Sequence, residues 1–278
     1  MEQFSSIADF TQWRAQRSGT CAAVFTMGAL HEGHAALVRR ARELAGSDGT
    51  VVATIFVNPA QFDDAADLGA YPRTLDADAV LLRDNGVDAL LAPHADDVYT
   101  ADRAVTVEPG PLGTVLEGRS RPGHFAGVLT VVAKLLHITA PDIALFGEKD
   151  YQQLTLIQRM AADLNFPVRI VGLATVRDHD GLALSSRNAR LSPAARQRAA
   201  AIPKVLAEVA AALTAGRTVQ QALDAGHAQL SERGVTDVDY LVLTGPDLGP
   251  VPAAGLARVL VAATVDGVRL IDNREVRL

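Results

Sequence analysis

The sequence has a single cysteine, Cys21. No intrachain disulfide can form, and a reducing cytoplasm is the expected compartment. Cys21 borders an apolar run with no partner motif around it, so it reads as a buried, inert thiol. Long apolar runs are also missing. No segment reaches the ~18 apolar residues of a membrane span, and the best candidate, 125–133, is followed at once by Lys134. Met1-Glu2-Gln3-Phe4 lacks a basic region followed by an apolar core, so no signal peptide is read. Positive charge is not in excess, since the formal net charge is −6. That argues against a broad nucleic-acid surface and leaves room only for a local basic pocket. Repeats and low-complexity tracts are absent, apart from a general richness in alanine. Three familiar signatures are missing too: the Gly-x-x-x-x-Gly-Lys-Ser/Thr loop, the Gly-x-Ser-x-Gly elbow and the Gly-x-Gly-x-x-Gly fingerprint. A nucleotide, if bound, is held in another way.

What is present is ordinary for a globular protein with a real core: 278 residues, 49% hydrophobic and 21% charged. One large or two medium domains are expected. Residues 7–16 read as a short amphipathic helix and 21–26 as a strand. The run 50–57 is nearly all apolar or β-branched, as in a strand buried on both faces, and stops at Asn58-Pro59. A polar loop (61–74), a helix (75–85) and a short strand (87–91) follow, with a further strand expected at 104–107. A basic loop, Arg119 to His124, opens a helix over 125–139. Then come strand 143–146, helix 151–165 and strand 168–173. Strands alternating with helices predict an α/β fold, a Rossmann-like doubly wound parallel sheet. After about Val176 the pattern changes to a polar loop (178–188), a long alanine-rich helix from Pro193 to about 215, and a helix over 219–232. Strands at 237–243, 258–265 and 268–271 follow, the last two joined by the hairpin signal Asp266-Gly267. This predicts a smaller C-terminal α+β domain over 178–278, after a first domain over 1–177.

In a doubly wound sheet, ligands bind at the carboxyl ends of the strands. His31, His34, Asn58, Gln61 and Lys149 all fall just after predicted strands. The most informative stretch is Met27-Gly28-Ala29-Leu30-His31-Glu32-Gly33-His34, which follows a strand and opens a helix. The helix mouth offers unpaired N–H groups and the positive end of a dipole, a ready anion site. Gly28 and Gly33 let backbone approach a phosphate closely, and the imidazoles add donors. Histidines three apart can also bind zinc, but no third and fourth ligand stands at suitable spacing. Gly147-Glu148-Lys149-Asp150 is a charged turn at a strand end, where Lys149 can reach a phosphate and Asp150 can accept from a hydroxyl or hold Mg²⁺. Leu184-Ser185-Ser186-Arg187 supplies hydroxyls and a guanidinium suited to phosphate oxygens. Taken singly, the last two motifs are ordinary solvated turns, and Gln61 and Gln153 ordinary surface amides.

Together these residues closely resemble the pantoate–β-alanine ligase (pantothenate synthetase) family of the His-x-Gly-His nucleotidyltransferase superfamily. The resemblance runs through Thr-Met-Gly-Ala-Leu-His-Glu-Gly-His (26–34), Phe-Val-Asn-Pro-Ala-Gln-Phe (56–62), Tyr-Pro-Arg-Thr (71–74), Arg-Pro-Gly-His-Phe-Ala-Gly-Val (121–128), Phe-Gly-Glu-Lys-Asp-Tyr-Gln-Gln (146–153) and Asp-Gly-Leu-Ala-Leu-Ser-Ser-Arg-Asn (180–188). It resumes weakly at Asp239-Tyr240 and at Leu270-Ile271-Asp272-Asn273. Phe25 stands where the family usually has proline, and Leu184 where it has methionine; both are apolar exchanges. Asp76 and Asp78 lie where some members place metal-binding acids, but Ala77 interrupts the run, which argues against a metal site there.

The resemblance implies an amide-forming ligase in two half-reactions. The carboxylate of (R)-pantoate attacks the α-phosphorus of the co-substrate ATP, giving pantoyl adenylate and pyrophosphate; the β-alanine amine then gives pantothenate and AMP. It implies His34, His31 and Lys149 as catalytic. It places Met27, Gly28, Ala29, Leu30, His31, Glu32, Gly33, His34, Gly147, Glu148, Lys149, Asp150, Val176, Leu184, Ser185, Ser186 and Arg187 at ATP. Gln61 and Gln153 would hold pantoate, with Gln61 also at β-alanine. Mg²⁺ is implied on the phosphates with Asp150 as a ligand, as is a cytoplasmic homodimer. Another adenylyl- or cytidylyltransferase of the superfamily is the alternative, and a non-catalytic nucleotide-binding protein is a third. The intact His31, His34, Lys149 and Ser185 to Arg187 argue against the third.

Overall fold

The structure is a computed structural model that describes residues 1–62 and 65–278. Their contacts divide the chain into two compact units, Met1–Glu148 with Leu156–Ala174, and Lys149–Thr155 with Thr175–Leu278.

The first unit holds β1 (Glu2–Phe4), α1 (Ile7–Ala15), β2 (Cys21–Thr26), α2 (Glu32–Ala45), β3 (Thr50–Ile55), α3 (Ala65–Ala70), α4 (Leu75–Asp84) and β4 (Ala89–Leu91). It continues with α5 (Ala95–Val98), α6 (Glu117–Ser120), α7 (His124–Thr139) and β5 (Ile143–Gly147). The next helix, α8 (Tyr151–Asp163), starts among residues of the second unit and leads to β6 (Arg169–Leu173) in the first. The strands run in the order β1-β4-β3-β2-β5-β6, every pair parallel. Alternation along the buried strands serves two cores. Ala22, Val24, Val51 and Ala53 pack with Val38 and Ala41 of α2 and Leu82 of α4. Cys21 and Val52 pack with Phe10 and Trp13 of α1. Cys21 is fully buried, and desolvation pushes its thiol above the usual range. The chain order reverses at β2: β3 and β4 lie to one side, β5 and β6 to the other. The crevice outside the carboxyl ends of β2 and β5 is therefore the topological switch point, where such sheets take ligands.

The second unit holds α9 (Pro193–Ala199), α10 (Ala201–Thr214), α11 (Val219–Glu232), β7 (Asp237–Thr244), β8 (Leu256–Val265) and β9 (Val268–Arg277). The strands form an antiparallel sheet in sequence order. Its core joins Ile202, Leu206 and Val209 of α10 to Leu241, Val259 and Val261. The β8–β9 turn has Asp266 and Gly267 both at positive φ, 48° and 74°, the backbone that a tight two-residue hairpin requires.

Several elements differ from the sequence expectation. β1 is too short and polar to carry a pattern. Residues 104–107 form no strand, and the Val107 N–H donates instead to Thr130 Oγ1 at 2.9 Å. The loop expected over 61–74 contains α3, while positions 63 and 64 lie outside the described residues. The single helix expected from Pro193 is two, parting at Ala200, because Pro203 cannot donate a backbone hydrogen bond to the turn before it. β9 runs on to Arg277, past the expected end at 271, through residues whose charges hide the strand.

One packing contact in the first unit bears on the site. A Cβ at Gly127 of α7 would stand 2.1 Å from Ala60 O and 2.8 Å from Gln61 N. Glycine is therefore what lets α7 press against the turn Pro59–Gln61. Gly127→Ala is expected to lower unfolding stability by about 1–3 kcal/mol through overpacking. Urea denaturation reads this as a lower midpoint; an unchanged midpoint would show that the turn yields freely.

Candidate active site

The first unit builds its site from the end of β2. Thr26 is buried, donates through Oγ1 to Thr54 O at 2.8 Å and accepts from Gly28 N at 3.2 Å. The chain then takes two left-handed residues, Gly28 (φ 84°) and Ala29 (φ 51°). That conformation costs a non-glycine residue roughly 1–2 kcal/mol. Its compensation is Asp78, which is 3% exposed in the first turn of α4. Asp78 Oδ2 accepts from Ala29 N at 3.0 Å and Oδ1 from Leu30 N at 2.8 Å. Thr74 Oγ1 also donates to Oδ2, at 3.0 Å. Both carboxylate oxygens are thus engaged with the protein. A Cβ on Gly28 would stand 3.0 Å from Asp78 Oδ2 and 3.2 Å from Ile55 Cγ2.

His31 caps α2, and the cap is reciprocal. His31 Nδ1 accepts from Gly33 N at 3.1 Å, and His34 Nδ1 accepts from His31 N at 3.2 Å. The ring centroids are 4.2 Å apart. A ring that accepts at Nδ1 is neutral and carries its proton on Nε2. Both rings therefore present an Nε2–H donor. His34 N is turned inward as well, donating to His31 O at 2.8 Å. Most amides of the helix mouth are thus turned inward. The N–H groups of Gly28, Ala29, Leu30, His31, Gly33 and His34 all have partners inside the protein, because the short tight turn folds back on its own acceptors. Glu32 faces outward and pairs with Arg39.

Gln61 sits beside this turn, its Nε2 donating to Met27 Sδ at 2.8 Å and its Oε1 accepting from Asn58 Nδ2 at 3.0 Å. Asn58 is 1% exposed; it also donates to Gly127 O at 3.2 Å and accepts from Tyr99 Oη at 2.7 Å. Burial pushes the Tyr99 phenol up to about 12, so it remains a donor. The Gln61 carbonyl accepts from Arg121 Nη2 at 3.1 Å and takes His124 Nδ1 at 2.9 Å. A donating Nδ1 leaves His124 Nε2 as the acceptor for Arg121 Nη1, at 3.1 Å, so His124 holds the opposite tautomer to His31 and His34. An amide offers two N–H groups and two lone pairs. Gln61 uses one of each on Met27 and Asn58. Asn58 is marked in the sequence by its place after a strand, and Asp78 only as a possible metal-binding acid, whereas here it anchors the turn. Arg121 and His124 lie in the stretch Arg-Pro-Gly-His-Phe-Ala-Gly-Val, which is the signal available for them; nothing local marks Tyr99. Gly147 is the last residue of β5, and Glu148 follows it directly.

The second unit carries the remaining residues. Lys149 is largely buried, with Nζ 3.7 Å from Asp150 Oδ1. Asp150 is half exposed, and Gln153 lies half-buried on α8. Leu184 N donates to Val176 O at 3.0 Å, which closes the loop between them. Ser185 then caps the turn Ser186–Arg190, its Oγ accepting from Arg187 N at 3.3 Å. Arg196 binds Asp178 at 2.7 Å and Asp180 at 3.1 Å. Hydrogen bonds from His179, and then from Arg196, hold the Asp178 carboxyl down at about 2. Among the described residues no group of three or more His, Cys, Asp or Glu is placed to share a metal ion. No helix of the described residues is long and apolar enough to cross a membrane.

Comparison with known proteins gives a consistent result. The family model described as pantoate-beta-alanine ligase matches residues 2–275. A pantothenate synthetase of Salinispora arenicola is 53% identical over 274 residues, covering 98% of this chain and 96% of its own. The crystal structure of pantothenate synthetase from Thermus thermophilus superposes with a TM-score of 0.91 at 44% identity, covering 99% of both chains. That of the ligase from Francisella tularensis, complexed with beta-gamma ATP and beta-alanine, superposes at 0.83 with 33% identity, covering 99% of this chain and 97% of its own.

The anchoring of the turn has a measurable consequence. Asp78→Ala leaves two backbone N–H groups without their charged acceptor and is expected to cost about 3 kcal/mol of unfolding stability. Asp78→Asn, which retains one oxygen acceptor, should cost less. Equal stability of all three proteins in chemical denaturation would remove Asp78 as the anchor.

Proposed function

Because this chain belongs to the pantoate–β-alanine ligase family, we propose that its two imidazoles, Lys149 and the Ser185, Ser186 and Arg187 group serve one ATP-dependent ligation. The reaction condenses pantoate with β-alanine. A pantoate carboxylate oxygen bonds to the α-phosphorus of ATP, the bond to the bridging oxygen breaks, and pyrophosphate leaves with that electron pair. The β-alanine nitrogen then bonds to the adenylate carbonyl carbon. AMP leaves, and the amine gives up a proton.

The first step needs positive potential around the transferring phosphate more than it needs covalent help. The His31 and His34 Nε2–H groups, the Lys149 ammonium, the Ser185 and Ser186 hydroxyls and the Arg187 guanidinium are the donors of this chain for that task. Each well-placed donor of this kind is worth roughly 3 kcal/mol, or ~10²-fold in rate. The observation that carries the reading is the reciprocal cap of His31 and His34, which sets both rings in the Nε2–H form. The backbone from Met27 to Gly33, with Gly147 and Val176, is assigned to the adenosine, and Leu184 to ATP. Glu148, next to Gly147, is assigned to ATP as well.

Gln61 brings one N–H and one lone pair to pantoate, fixed by Asn58 and Met27; Gln153 is the second amide. Polar groups held this firmly reject analogues that lack the matching hydroxyl. Gln61 is also assigned to β-alanine. Mg²⁺ is usually held by one or two carboxylates and substrate phosphates, without a protein cage. The half-exposed Asp150 fits the part of a single ligand, and the ion would neutralise phosphate charge. The single buried cysteine supports placing the reaction in the cytoplasm, and homodimeric assembly is carried over from the family resemblance.

In a coupled assay, AMP release is expected only when ATP, pantoate and β-alanine are all present, and pyrophosphate release with ATP and pantoate alone. His34→Ala should slow single-turnover pyrophosphate release by ~10²-fold or more while the protein stays folded. Near-wild-type release from that variant would remove His34 from the adenylation step.

A further inference from the structure

The pair Asp272-Asn273 lies within the weak C-terminal part of the resemblance and has no role in the reaction as described. Both residues are buried on β9, each 4% exposed. Their partners are unusual for the middle of a small sheet. Asp272 accepts a fork from Arg177, at 2.7 Å from Nη1 and 3.0 Å from Nη2. It also accepts from Asn273 N at 2.7 Å. Arg177 donates further to Gly181 O at 3.1 Å and Asn273 O at 3.3 Å. Asn273 Oδ1 accepts from Arg258 Nη1 at 2.7 Å, and its Nδ2 donates to Lys149 O at 3.0 Å. The Arg258 guanidinium lies 3.8 Å over the Tyr151 ring, and Tyr151 Oη donates to Pro246 O at 2.6 Å.

These bonds reach two separate stretches of chain. Arg177 stands at the base of the loop that carries Ser185, Ser186 and Arg187. It bridges to Ala183 in antiparallel register, next to the Leu184-to-Val176 hydrogen bond. Lys149 opens the other stretch, and Asn273 holds its carbonyl. A buried ion pair contributes little net stability, because desolvating both charges offsets their attraction. What a two-pronged guanidinium–carboxylate contact does supply is direction, since the planar fork admits few geometries. An asparagine that bonds a guanidinium through one atom and a backbone carbonyl through the other likewise sets a distance between them.

We propose that Asp272 and Asn273 are positioning residues for adenylate formation. In this role β9 acts as a common ruler. Asp272 sets the Ser185 to Arg187 loop through Arg177, and Asn273 sets Lys149 through its backbone. The proposal rests on reading Lys149 and Ser185 to Arg187 as phosphate donors. It explains why two adjacent buried strand residues are an acid and an amide. Displacing a catalytic group by about 1 Å can cost ~10²-fold in rate, so small movements at β9 are sufficient.

The test is a double-mutant cycle in the full-length enzyme, read as pantoate-dependent ATP–pyrophosphate exchange. Lys149→Ala is expected to lower kcat by ~10²-fold and Asn273→Ala by ~10-fold, with the pantoate KM within about twofold of wild type in Asn273→Ala. The double variant should match Lys149→Ala alone, because Asn273 acts through Lys149. If the double variant loses the product of the two single effects, or Asn273→Ala exchanges at the wild-type rate, the proposal is overturned while the donor reading stands. If Lys149→Ala exchanges normally, the donor reading fails and the proposal fails with it. Asn273→Asp keeps the acceptor for Arg258 and removes the donor to Lys149 O, so it replaces Asn273→Ala in the cycle if that variant does not fold. Arg177→Lys keeps the charge and loses the fork; it should lower kcat by ~10-fold, and a wild-type kcat there would overturn the Asp272 half of the proposal.

Discussion

Two hydrogen bonds from the backbone of Ala29 and Leu30 to the buried carboxylate of Asp78 are the contact on which the first unit's site depends. They hold a turn that a non-glycine residue at 29 would otherwise resist. The turn decides where His31 begins α2, and the start of α2 decides the tautomer of both histidines. The geometry at this end of the sheet thus traces back to one acid in the first turn of α4. The same acid accounts for the small residue at 28, where a Cβ would meet both the carboxylate and Ile55.

A second consequence concerns where positive potential comes from. A bare helix mouth offers backbone amides to an anion, but here those of Gly28, Ala29, Leu30, His31, Gly33 and His34 bond inside the turn and cap. In the proposed reaction the imidazole Nε2–H groups take that part. This would exchange a fixed backbone dipole for side chains whose donors are oriented by their own Nδ1 contacts. Gln61 follows the same logic. Its outward hydrogen-bonding capacity is defined because Asn58 and Met27 occupy the rest, and Asn58 is held in turn by Tyr99 and Gly127.

Much of the fold was legible in the sequence because its signals are local. The apolar run before Asn58-Pro59 reads as a doubly buried strand, and Asp266-Gly267 reads as a hairpin; both are found. The parallel sheet with a smaller antiparallel unit follows from the order of those elements. What escaped lacks a local signature. β1 is three residues at a sheet edge, the division of the alanine-rich helix depends on one missing N–H at Pro203, and the end of β9 is hidden by its charges. In the site, Met27 to His34 and Gln61 are legible by position after strands. Asp78, Tyr99 and Asp272 are not, since each acts on residues far away in the chain and only the folded contacts reveal the acceptor. The commitment of the helix-mouth amides was illegible for the same reason.

The central claim is that the turn and cap set both histidines in one tautomer. ¹⁵N-resolved NMR of the imidazole side chains tests it most directly, because Nδ1 and Nε2 give distinct shifts according to which carries the proton. The neutral rings of His31 and His34 are expected to show protonated Nε2 and unprotonated Nδ1, with His124 showing the reverse. A protonated Nδ1 on neutral His31 or His34 would contradict the account, since that ring could not accept the backbone N–H that orients it.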